Sequence, residues 1–231
     1  MLRGRARLPL LAEIAGPASG SGAWALRRGD FERLGEALPQ LARHRVVLVA
    51  GEEGVAAVAA VGLAAASSAA GRRTALVDCG LAQPRLAAQI GLAEAPGLHE
   101  YLRWQAEPAD ILQPIVLAGP AAGGLHDPLV CIAAGRPAPK AGTLLGLQSF
   151  SHMVAKLREA YEQVLLLAPP VLSEPGPCLA VATQAEAVVA GLREGEAKGD
   201  EGRALRAAVR RLPPVAIGSI AVTGAAWVQR S

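Results

Sequence analysis

Between residues 46 and 78 the chain sets an apolar strand, a glycine-bearing turn, an uncharged helix and a second apolar strand in immediate succession. Val46-Val47-Leu48-Val49 and Thr74-Ala75-Leu76-Val77-Asp78 are near-continuous apolar runs, the pattern of strands buried on both faces. Two such strands joined through a helix pair in parallel, because a parallel connection has to cross over the sheet. The turn reads Ala50-Gly51-Glu52-Glu53-Gly54, and Gly71-Arg72-Arg73 breaks the helix before the second strand. This unit commits the chain to an α/β sheet with helices on both faces.

A strand, a glycine-rich turn and a helix N-terminus together are the usual seat of a nucleotide phosphate. In a working P-loop the turn wraps phosphate with backbone N–H groups, a Lys reaches the terminal phosphates, and a Ser/Thr hydroxyl holds magnesium. Here Val55, Ala56, Ala57 and Val58 follow Gly54, and no Lys, Ser or Thr occurs between Gly51 and Ala66. Glu52 and Glu53 add negative charge where a polyphosphate would lie. Phosphoryl transfer rests on positioning and electrostatics, so loss of these groups together leaves little catalysis. The expectation is a vestigial nucleotide-binding turn of Gly51, Glu52, Glu53, Gly54, Val55, Ala56 and Ala57. It carries no catalytic residue, no metal and no required cofactor, with weak ATP or ADP binding left open by the helix N-terminus.

Alternating strand and helix signals continue along the chain. Pro84 to Ile90, Leu98 to Trp104, Ser149 to Tyr161 and Glu201 to Leu212 read as helices. Leu129 to Ala133, Val164 to Leu167, Ala185 to Leu192 and Val215 to Val222 read as strands, and Pro108 to Pro128 as a surface crossing. The expected fold is therefore α/β and three-layered, with a mostly parallel sheet of about seven strands. Residues 1–45 are expected to be an N-terminal extension packed on the core, 46–224 the main domain and 225–231 a tail.

Composition narrows function. A formal charge of +3, with no basic stripe interleaved with aromatics, argues against nucleic acid. Residues 54 to 71 are uncharged over 18 positions, yet they are mostly Ala, Gly and Ser, which suits a helix buried on a sheet better than a membrane span. Cys79, Cys131 and Cys178 are odd in number and form no Cys-x-x-Cys pair, so reduced, buried thiols in a cytoplasmic setting are expected. His44, His99, His126 and His152 lack metal-ligand spacing. Asp78, at a strand end, is either a turn or helix-capping carboxylate or a vestigial ligand.

The order of further segments resembles one family. Leu76-Val77-Asp78-Cys79-Gly80-Leu81-Ala82-Gln83-Pro84-Arg85-Leu86 is followed by Pro96-Gly97-Leu98-His99-Glu100-Tyr101-Leu102. Ala134-Gly135-Arg136-Pro137 and Val164-Leu165-Leu166-Leu167-Ala168-Pro169-Pro170-Val171 complete the series. From about Val46 to Gly224 the chain resembles the cytoplasmic bacterial tyrosine kinases of capsule and exopolysaccharide synthesis, a branch of the MinD/ParA-type P-loop ATPases. That resemblance implies acidic residues that are only partly present. Asp78 matches the first acid of the second motif, Gly80 replaces the second, and Leu167 stands in place of the Walker B Asp. Val55 or Ala56 stands in place of the lysine, and Val222 or Thr223 in place of an adenine-reading Asn. The family's tyrosine-rich tail is also absent, since only Tyr101 and Tyr161 occur.

The resemblance implies a catalytically degenerate regulator, cytoplasmic and peripheral at the inner membrane. Its partner would be the cytoplasmic segment of a membrane-anchored polysaccharide chain-length determinant, and homo-oligomers are an expectation. An active ATPase or kinase would need a displaced lysine from Lys140, Lys156 or Lys198. A MinD/ParA-like positioning protein would need a membrane-targeting helix that residues 225–231 are too short to supply. A dinucleotide oxidoreductase is disfavoured by the missing Gly-x-Gly-x-x-Gly spacing.

Overall fold

The alternation of apolar runs produces eight strands among the described residues of this computed structural model, which are 8–16, 27–51, 53–115, 129–195 and 199–224. In chain order the strands are β1 (Leu10–Ala15), β2 (Val46–Gly51), β3 (Thr74–Asp78), β4 (Gln113–Ile115), β5 (Leu129–Ile132), β6 (Gln163–Leu167), β7 (Ala187–Arg193) and β8 (Val215–Thr223). The longer helices are α1 (Arg28–Leu41), α2 (Glu53–Ala69), α6 (Gln148–Ala160), α7 (Pro175–Ala182) and α8 (Asp200–Val209). Shorter turns of helix are α3 (Leu86–Ile90), α4 (Leu98–Leu102), α5 (Pro108–Ile111) and a 3-10 helix over Ala141–Gly146.

The sheet runs β1-β8-β7-β2-β6-β3-β5-β4. Every neighbouring pair is parallel except β4 with β5. The central strands β2, β3 and β6 are buried at every position, as their unbroken apolar runs require. Their side chains alternate between two cores. Val47, Val49, Leu76, Leu165 and Leu167 face α1 and α2, while Val46, Leu48, Val77, Val164 and Leu166 face α4 to α8. From Gly54 onward α2 is uncharged; it lies across β2, β3, β6 and β7, and its small side chains let it sit close to the sheet. No helix among the described residues is long and apolar enough to cross a membrane.

The sheet has one strand more than the sequence suggests, and its two edge strands were not legible. β1 follows Pro9 and pairs with β8, with Ala12 and Ile14 buried against α1 and the sheet. β4 is three residues long with Pro114 at its centre, a position tolerated only at a sheet edge. It and α5 occupy the start of the expected surface crossing; residues 116–128 lie outside the described residues, as does the 225–231 tail. α7 also went unrecognised, because Pro175 and Pro177 obscure a helix whose Cys178, Val181 and Ala182 are buried.

Candidate functional site

In α/β sheets ligands bind beyond the carboxyl ends of the strands, which here gathers Gly51 of β2, Asp78 of β3 and Leu167 of β6. Of the expected turn over Ala50 to Gly54, Ala50 and Gly51 are strand and Glu53 and Gly54 are helix. β2 continues through Gly51 and α2 starts at Glu53, leaving one position between strand and helix. A P-loop has four residues between its first glycine and its Gly-Lys pair. The short joint is tightly packed from behind. A side chain on Gly51 would come within 2.7 Å of the Gly191 carbonyl oxygen, and one on Gly191 within 3.0 Å of Ala56 Cα. Val55, Ala56 and Ala57, with Gly54, are buried in the first turns of α2. Glu52 and the side chain of Glu53 lie outside the described residues.

Asp78 and Leu167 are register partners on adjacent strands. The Leu167 side chain, 4% exposed, belongs to the apolar core beneath α2. Asp78 is 1% exposed, and its carboxylate is spent on backbone. Oδ1 accepts the Gly80 N–H at 2.9 Å, and Oδ2 accepts those of Arg85 at 3.1 Å and Leu86 at 3.0 Å. Burial pushes the Asp78 carboxyl above its ordinary value, and the three N–H donors with the Arg85 charge pull against that rise. Of the two readings of Asp78, the geometry supports the turn and cap: α3 starts at Leu86, and Arg85 contributes no side-chain cap.

The space left at this corner is about 20 Å³, lined by Gly51, Asp78, Gly80, Gln83, Arg85, Leu167, Ala168 and Pro170. That is room for about one water. Sequence reasoning missed Gln83 and Arg85 as site residues. Arg85 is the cation lining the corner, and its Nη2 donates to Gln83 Oε1 at 2.9 Å. The helix expected from Pro84 begins two residues later, at Leu86. Lys140 is exposed ahead of the 3-10 helix, and Lys156 pairs with Glu159 at 2.9 Å on α6, so neither lines the corner. Lys198 lies outside the described residues.

A second junction lies one strand away. The Leu98 and His99 N–H groups donate to the Ala133 and Ala134 carbonyls, each at 2.8 Å. Glu100 accepts the Gly97 N–H at 2.9 Å and the Arg136 N–H at 3.2 Å, tying α4 to the segment after β5. Burial raises the Glu100 pKa, but these N–H bonds and neighbouring His99 outweigh it and hold the carboxyl below its ordinary 4.5. Among the described residues no group of three or more His, Cys, Asp or Glu side chains could share a metal ion. Val222 and Thr223 end β8 next to β1 and β7, apart from the residues that line the corner.

No protein-family model matches the chain, and no curated protein sequence does. Solved structures do. The chimerical protein CapA2B2 superposes with a TM-score of 0.77 at 17% identity, covering 93% of this chain and 94% of its own. The kinase domain of the Escherichia coli tyrosine kinase ETK gives 0.76 at 15% identity, covering 97% and 94%. The BceF tyrosine kinase domain gives 0.70 at 23% identity, covering 94% and 93%. MinD from Pyrococcus horikoshii OT3 and a cobyrinic acid a,c-diamide synthase match less closely. Over nearly its whole length, the chain has the fold of the bacterial tyrosine kinase domains, within the broader MinD-type P-loop architecture.

Proposed function

We propose that this chain is a catalytically degenerate relative of the exopolysaccharide tyrosine kinases that works by binding rather than by phosphoryl transfer. Its partner is the cytoplasmic segment of a membrane-anchored polysaccharide chain-length determinant, which would hold it at the inner membrane. The observation that carries this reading is the β2–α2 joint, where β2 runs through Gly51, packed on Gly191, and α2 is already under way at Glu53. Such a joint has no loop of N–H groups to wrap a phosphate.

The residues present do not fit a magnesium nucleotide. Leu167 offers no side-chain oxygen, and Asp78 already accepts three backbone N–H bonds. A shared fold does not by itself carry the chemistry of the proteins that share it. The full chain and the cytoplasmic segment of its organism's chain-length determinant should associate with equal affinity with and without Mg-ATP. Neither ATP hydrolysis nor tyrosine phosphorylation should exceed background. Nucleotide-dependent association, or turnover removed by replacing Lys140, Lys156 and Lys198 with alanine, would favour the active-enzyme reading instead.

A further inference from the structure

We infer that Asp78 acts as an internal ligand, its carboxyl oxygens holding the 79–86 loop in one ordered conformation with no nucleotide present. The inference rests on the degenerate reading of the site and adds to it how the neighbouring loop is controlled. Converging backbone N–H groups are the means by which loops bind phosphate and other anions. Here the donors of Gly80, Arg85 and Leu86 converge on a carboxylate from the same chain. Every contact that an external anion could offer those donors is already made.

Three features show the loop built around this contact. Gly80, which stands where the resembling family carries its second acid, leaves room for it: a Cβ there would lie 3.1 Å from Asp78 Oδ1 and 3.2 Å from the Gln83 carbonyl oxygen. A side chain at position 80 would crowd the cap, which the glycine leaves clear. The loop is also tied at its flanks. The Cys79 N–H donates to the Leu167 carbonyl at 3.0 Å, and the Ala138 N–H to the Leu81 carbonyl at 2.9 Å. Leu167 then closes the neighbouring side with an apolar group.

A ligand shifts a conformation only as far as it binds one state better than another. A loop whose donors are satisfied from within gives nucleotide nothing to select. The chain therefore presents this surface constitutively, where an ATPase of similar shape would make it conditional on ligand.

Amide hydrogen exchange, resolved residue by residue on the nucleotide-free full chain, tests this. The Gly80, Arg85 and Leu86 amides should be protected in the wild type. Asp78→Asn should speed their exchange roughly tenfold or more, with the β3 and β6 amides unchanged. Should Asp78→Asn unfold the chain, Gly80→Asp provides the second variant, with the same loss expected over residues 80–86. Unprotected Arg85 and Leu86 amides in the wild type, or protection that survives both substitutions, would overturn the inference. These rates are read without nucleotide, so they stand apart from any result on Mg-ATP binding, which bears on the function proposed above.

Discussion

Asp78 and Glu100 show how a carboxyl group at a strand end or in a helix's first turn can serve the backbone rather than a ligand. Both are carboxylates that accept two or more main-chain N–H bonds. Sequence alone could narrow Asp78 to a cap or a ligand, but choosing between them needs the positions of Arg85 and Leu86, which only the folded loop provides. Glu100 is open to a test with a definite sign. Its pKa is lowered on folding, so its contribution is present above the unfolded value of 4.5 and is lost as pH falls through the folded one. Glu100→Gln should cost about 1 kcal/mol at pH 7 in urea unfolding once solvent screening is allowed for. The gap from wild type should close as pH drops below 4.5; a gap independent of pH would show that the carboxylate charge contributes nothing. The cysteines give a second test. Burial pushes the Cys131 thiol up to about 12 and Cys79 well above its usual range, while Cys178 is also buried. Thiolate is the reactive form. At pH 8 an aromatic disulfide reagent should leave the native thiols untouched and titrate three after denaturation; rapid native labelling would mean that these cores open.

At the scale of elements, the informative unit is the contact among β2, α2 and β7. The sequence correctly marks β2, α2 and β3, because long apolar runs and an uncharged helix have one stable arrangement. It does not mark how short the joint is. Glycines at 51 and 54 read equally well as a loop or as a close approach, and the Gly51–Gly191 contact joins residues far apart in sequence. The joint predicts its own sensitivity. Gly51→Ala places a methyl 2.7 Å from a main-chain oxygen fixed in β7, and should cost about 1–3 kcal/mol in urea unfolding. An unchanged midpoint would mean that the joint is looser than described. The edge elements were hidden for other reasons. β4 is only three residues, and α7 begins with proline at two of its first three positions.

At the scale of the whole molecule, alternating strand and helix signals were enough to give a three-layer, mostly parallel α/β sheet, and the solved kinase domains share it end to end. The likeness of fold holds at 15–23% identity. Whether this fold persists without a nucleotide site is read from the thermal stability of the purified chain with and without millimolar Mg-ATP. A ligand at 100 times its dissociation constant adds about 2.7 kcal/mol, which in a chain of this size raises Tm by roughly 5–10 °C. No shift is expected. A rise of that size would contradict it, showing that the corner between Gly51, Asp78 and Leu167 opens to hold nucleotide.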